Sequence, residues 1–135
     1  MNTQQTVFPK EMEECVPQPR DFLILCVDDD RAGLTSRSFV LRTAGYDVLI
    51  AESGKAGLRL FREHAVDLVI TDHFLPDLPG VELIASMKRL KPEVPVILLT
   101  GSLESPTGAE LADLVIVKGT HPRDFLEQVA KVLSR

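Results

Sequence analysis

Four short apolar runs, each ended by a polar residue, constrain this chain more than any other feature. LILCV (Leu23 to Val27) runs into Asp28 and Asp29, and DLVIT (Asp67 to Thr71) into Asp72. VPVILL (Val94 to Leu99) runs into Thr100, and LVIV (Leu114 to Val117) into Lys118. Runs this short, rich in Val, Ile and Leu, read as strands buried on both faces. A fifth strand is expected at about Asp47 to Ala51. The intervening segments carry apolar residues at helical spacing. Helices are expected at about Arg31 to Ala44 behind Asp30, about Gly54 to His64 behind Ser53, and about Val81 to Leu90, ended by Pro92. Thr120 and Pro122 open a last helix with the apolar stripe Phe125, Val129, Val132 and Leu133. Such alternation predicts a doubly wound α/β sandwich with right-handed crossovers.

In an open parallel sheet, ligands gather beyond the carboxyl ends of the strands. Those ends would here bring together three carboxylates, a hydroxyl and an ammonium. Two unit charges 4 Å apart repel by about 4 kcal/mol at an effective dielectric near 20, so three convergent carboxylates call for protons or a cation. Mg²⁺ suits them, because it takes few carboxylates and completes its octahedron with water and phosphate oxygens. A carboxylate can also serve as a phosphoryl nucleophile, and a lysine supplies a point charge for phosphate. Each of these residues alone reads as a turn former, a cap or a solvated side chain. The whole set, in order at strand ends, reads as a cation and phosphoryl site. Asp30 is a cap that adds to the acidic field, His73 a solvent-facing loop residue, and His64 and His121 have no evident partner.

The length of 135 residues implies one domain. A hydrophobic content of 44% is that of a globular chain, and the net charge of -5, with no dense Lys/Arg run, argues against a nucleic-acid surface. Lys88, Arg89 and Lys91 read as the wet face of a helix. The first residues lack the apolar core of a secretion signal, and no run approaches the roughly 20 apolar residues of a membrane span. A cytoplasmic protein without membrane partners is expected. Cys15 and Cys26 have no metal-ligand spacing, and Cys26 reads as a small core residue. Residues 1–20, with Pro9, Pro17 and Pro19, read as a leader or linker that Val7, Phe8, Met12 and Val16 would dock; residues 21–135 form the domain.

The motifs VDDD at Asp28 and Asp29, ITDHFLPDLPG around Asp72, LLTG around Thr100 and VKG around Lys118 resemble those of the response-regulator receiver domain of two-component signalling, from Asp21 to Arg135. The resemblance implies a flavodoxin-like, CheY-like five-stranded sheet of order 2-1-3-4-5. It implies that Asp72 accepts a phosphoryl group from a histidine kinase or phosphotransfer protein. Asp28, Asp29, Asp72 and the Phe74 carbonyl would bind Mg²⁺, and Thr100 and Lys118 would contact the phosphoryl group. The output would be contact with a downstream protein, with self-association into a homodimer left open.

Four departures from the family pattern modify these expectations. Gly119 follows Lys118 where proline after a cis bond is usual, and a cis bond without proline costs about 2.5 to 4 kcal/mol. Val115 stands where an aromatic residue is common, which removes a ring that could swing inward. Pro79 precedes Gly80 in place of an acidic residue. The stretch from Thr100 to Lys118 is about one helical turn short, which leaves about Thr107 to Ala112 for a curtailed fourth helix. Phe74 and Ser102 flank the expected path of hydrolytic water, and slow self-dephosphorylation follows if Phe74 covers it. The expected role is a phospho-accepting switch, stand-alone or part of a longer protein, rather than an enzyme. The alternative is a receiver-like binding module that works without phosphorylation. A dinucleotide site is disfavoured, since DDDRAG follows the first strand instead of a glycine-rich loop.

Overall fold

A computed structural model describes residues 18–101 and 107–135. Residues 1–17, most of the expected leader including Val7, Phe8, Met12, Cys15 and Val16, lie outside the described residues, as does Ser102. The strands are β1 (Leu23–Val27), β2 (Asp47–Ala51), β3 (Leu68–Asp72), β4 (Val96–Thr100) and β5 (Leu114–Val117). The helices are α1 (Arg31–Thr43), α2 (Gly54–Glu63), α3 (Gly80–Leu90) and α4 (Pro122–Leu133). All strands pair in parallel in the order β2-β1-β3-β4-β5, the expected doubly wound, flavodoxin-like sheet.

Side chains alternate across a strand, and the core divides accordingly. Ile24, Cys26, Leu68, Ile70, Ile97, Leu99 and Ile116 share one apolar face with Leu34 and Leu41 of α1 and Phe125, Val129 and Val132 of α4. Leu25, Val27, Val69, Val96 and Leu98 share the other with Phe61 of α2 and Leu83, Ile84 and Met87 of α3. Cys26 is a core residue, and burial pushes its thiol up to about 12, beyond what Arg37 and Arg42 offset.

Local chemistry sets the boundaries. The Ser53 hydroxyl accepts the Ala56 N–H and caps α2, as expected. Asp30 occupies the N-cap position of α1 without a side-chain cap bond. The α4 cap is His121, whose Nδ1 accepts the Arg123 N–H at 3.1 Å, a partner that spacing alone did not reveal. Gly45 leaves α1 at φ 103°, where any Cβ would be strained. Pro19 packs under Gly45 from a short 3-10 turn, Pro19–Asp21, so the end of the expected leader is docked on the domain.

Lys88 of α3 and Lys91, just past its end, are clamps rather than a wet face. Lys88 Nζ reaches the Val94 carbonyl and Asp113, at 2.9 and 2.7 Å. Lys91 Nζ reaches the carbonyls of Phe61 and His64 and lies 4.9 Å from the Phe61 ring centroid. The curtailed fourth helix is curtailed further than expected. Where about Thr107 to Ala112 was expected, there is a single 3-10 turn, Ala109–Leu111, entered through Gly108 at φ 90°. No cis peptide bond occurs among the described residues, and Gly119 takes φ 90° directly after Lys118.

Candidate functional site

Parallel pairing puts the ends of β1, β3, β4 and β5 at one edge of the sheet. Asp72 and Thr100 are the last residues of β3 and β4 rather than the residues beyond them, so backbone pairing fixes both. Asp28 is held just past β1, where its N–H donates to the Ala51 carbonyl at 3.0 Å. The Lys118 N–H donates to the Thr100 carbonyl at 2.7 Å and ties β5 to β4 at the same level.

Asp28, Asp29 and Asp72 each present a carboxylate oxygen within 4.8 Å of the other two. Asp28 and Asp72 are buried and Asp29 is exposed, so the cluster opens to solvent on one side. Lys118 Nζ lies 3.0 Å from Asp72 Oδ1 and 3.4 Å from Asp28 Oδ2. Burial pushes the Asp72 carboxyl above its ordinary range, and the Asp28 charge adds to this; the Lys118 ammonium and the His73 N–H offset part of it. Burial acts against the Lys118 ammonium, but its two carboxylate partners hold its pKa above the usual lysine value. Asp72 is therefore a partly desolvated carboxylate beside an ammonium that favours its charged form.

Three hard oxygen donors around an opening to water are a set that Mg²⁺ accepts, and the donor chemistry here fits that ion. Thr100 is buried at the same edge. Phe74 is 76% exposed, with its ring 4.4 Å from that of His73. His73 is half-buried rather than solvent-facing, and its buried Nδ1 has no hydrogen-bond partner.

The loop between β3 and α3 is fixed at both ends. The Gly80 N–H donates to the His73 carbonyl at 2.7 Å, and a Cβ on Gly80 would run into the Asp72 carbonyl oxygen. The Asp77 carboxylate accepts the N–H groups of Gly54 and Lys55, both at 2.8 Å, across the start of α2. Sequence reasoning missed Asp77, whose partner lies on another element. It also missed Arg37. The Arg37 guanidinium reaches back from α1 to Asp28 Oδ2, with its side chain 19% exposed.

The response regulator receiver domain family matches residues 24–130, and the chain belongs to it. Among curated proteins it is similar to the transcriptional regulatory protein GlrR of Escherichia coli, 40% identical over 88 residues, covering 64% of this chain and 20% of that protein. It is also similar to the alkaline phosphatase synthesis transcriptional regulatory protein PhoP of Bacillus subtilis, 32% identical over 116 residues, covering 83% of this chain and 48% of that protein. The chain thus spans about half or less of the length of these relatives. Among solved structures, the CheY-like receiver domain protein from Methanospirillum hungatei is 35% identical at a TM-score of 0.79, covering 84% of this chain and 94% of that one. The response regulator TrrA from Thermotoga maritima, in complex with Mg(2+)-BeF, is 30% identical at a TM-score of 0.78, covering 82% and 98%. The protein is a receiver domain of the kind that serves two-component phosphorelay signalling.

Proposed function

We propose that Asp72 accepts a phosphoryl group from a phosphohistidine of a histidine kinase or phosphotransfer protein. An Asp72 carboxylate oxygen attacks phosphorus in line, the bond from phosphorus to the imidazole nitrogen breaks, and an aspartyl phosphate forms. Asp28, Asp29, Asp72 and the Phe74 carbonyl would hold Mg²⁺, which supplies charge neutralisation for the equatorial oxygens. Lys118 and Thr100 orient the phosphoryl group, the ammonium by charge and the hydroxyl by hydrogen bonding. The observation that carries this reading is the cluster of three carboxylates within 4.8 Å, with Lys118 3.0 Å from Asp72.

On this reading residues 21–135 are the switching unit and residues 1–20 a leader. The setting is cytoplasmic, and the output is contact with a protein, which a homodimer could also provide. DNA binding is not assigned to this chain; the relatives named as transcriptional regulators are longer. Among the described residues no helix is long and apolar enough to cross a membrane.

Intact mass after incubation with a small phosphodonor and Mg²⁺ is the test. One added phosphoryl group is expected for the wild type and none for Asp72→Asn; equal labelling of the variant rejects Asp72 as acceptor. The 3-10 turn in place of a fourth helix favours a second reading, a binding module independent of phosphorylation. An unlabelled wild type would select it. The phosphoryl group is also expected to be long-lived, with decay faster in Phe74→Asn. Unchanged or slower decay removes Phe74 as a shield.

A further inference from the structure

We propose that Arg37 is a tethered cation that occupies Asp28 in the metal-free protein and lowers divalent-cation affinity by competing for that carboxylate. The inference rests on the reading of Asp28, Asp29 and Asp72 as a Mg²⁺ site, and it adds a residue that tunes the site.

Asp28 has little free acceptor capacity. Its Oδ1 accepts the Asp30 N–H at 3.0 Å. Its Oδ2 faces both Arg37 Nη2 and, at 3.4 Å, Lys118 Nζ. A lone pair engaged by a guanidinium is not available to a metal, so coordination through Oδ2 requires a donor to leave. Lys118 has Asp72 as a second partner at 3.0 Å. Arg37 is the donor whose departure leaves the phosphoryl clamp intact.

The local sequence makes room for this contact. Arg37 lies one turn along α1 from Gly33. A Cβ on Gly33 would sit 3.2 and 3.4 Å from the two terminal nitrogens of Arg37, and 2.8 Å from Asp30 Oδ2. The absent side chain leaves a floor over which the guanidinium passes to Asp28. A second seat is adjacent. A crevice of about 170 Å³ between α1 and the β5–α4 connection is lined by Arg37, Val40, Ile116, Thr120 and Phe125. The guanidinium can move into it when released, with its methylene stem still packed against apolar residues.

Charge sets the direction of the effect. Counted with Arg37, which pairs with Asp28, and Lys118, which pairs with Asp28 and Asp72, the three ionised carboxylates leave one net negative charge. Without Arg37 they leave two, and a divalent cation enters a more attractive field. The opposite outcome would follow if Arg37 merely steadied Asp28 as a ligand, since its removal would then weaken metal binding.

The test is calorimetric titration of the full chain with Mg²⁺, in wild type, Arg37→Met, Arg37→Lys and Asp29→Ala. Arg37→Met, which keeps the stem, should bind roughly tenfold more tightly, and Arg37→Lys, which keeps the charge, should stay closer to wild type. Unchanged or weaker binding by Arg37→Met overturns the proposal while leaving the metal site standing. No Mg²⁺ binding by wild type, or full binding by Asp29→Ala, overturns the metal site itself. A second measurement needs only the wild-type fold. The Arg37 side-chain N–H resonance, assigned by its loss in Arg37→Lys, should be protected from solvent exchange without Mg²⁺ and lose protection as Mg²⁺ saturates. A resonance unaffected by Mg²⁺ overturns the proposal.

Discussion

Gly80 shows how closely one atom can govern this site. A methyl group there would meet the carbonyl oxygen of Asp72 and lie 3.0 Å from the Cα of His73. Both obstacles are backbone, so neither can rotate away. Gly80→Ala should cost roughly 1 to 3 kcal/mol, the usual range for overpacking, and should also displace Asp72, the proposed acceptor. Urea unfolding measures the first effect and phosphoryl labelling the second; wild-type values in both would mean that the loop yields without cost. The pattern of strand ends in the sequence pointed to Asp28, Asp29, Asp72, Thr100 and Lys118, because alternation and parallel pairing force strand ends together. Arg37 and Gly33 carried no such signal. An arginine on the early turns of a helix reads as solvated until the helix is set against the sheet.

Acids at the opposite edge of the sheet do structural work. Asp67 Oδ2 accepts the Leu23 N–H at 2.8 Å, and Asp113 Oδ2 accepts the Val96 N–H at 2.7 Å, so each ties the start of a neighbouring strand. Burial works against the Asp113 carboxylate, but the Lys88 ammonium and the Val96 N–H outweigh it and hold its pKa below the usual range. A carboxyl depressed in the folded state contributes stability above its unfolded pKa, about 3.9, and loses it as pH falls through the folded value. Asp113→Asn should therefore be roughly 1 to 2 kcal/mol less stable at pH 7. The gap should narrow as pH falls below about 4. Melting curves across that range check it, and a gap independent of pH would assign the loss to geometry rather than charge. The elements themselves were legible in sequence: each strand and α-helix lies within two residues of its expected limits. The clamps made by Lys88, Lys91 and Asp77 were not, because each joins elements far apart in the chain. The connection after β4 also escaped. A stretch between Gly108 and Asp113 that has helical composition but room for barely a turn cannot offset the cost of nucleation, and a 3-10 turn results.

On the proposed reading, a signal leaving Asp72 crosses a fold with a 3-10 turn between β4 and β5 and a valine at position 115. Val115 pairs with Leu98 in the sheet, and its short side chain packs on the α2–α3 face. A phosphoryl mimic should therefore change hydrogen exchange most at Gly101 and at Thr107 to Ala112, and little at Val115. Protection spreading through β5 into α4 would reject this route. The division of the core between two sheet faces has a further consequence. Asp28, Asp72 and Lys118 continue the parity of Cys26, Ile70 and Ile116, the face toward α1 and α4, whereas Thr100 continues that of Leu98. The strands thus carry a reading frame of two. Inserting one residue into β1 would exchange Cys26 and Leu25 between faces and turn Asp28 away from Arg37 and Lys118, whereas inserting two would restore the phase. Length changes in this chain should be tolerated in loops and penalised by parity within strands. That rule concerns the spacing of the residues, over and above their identity.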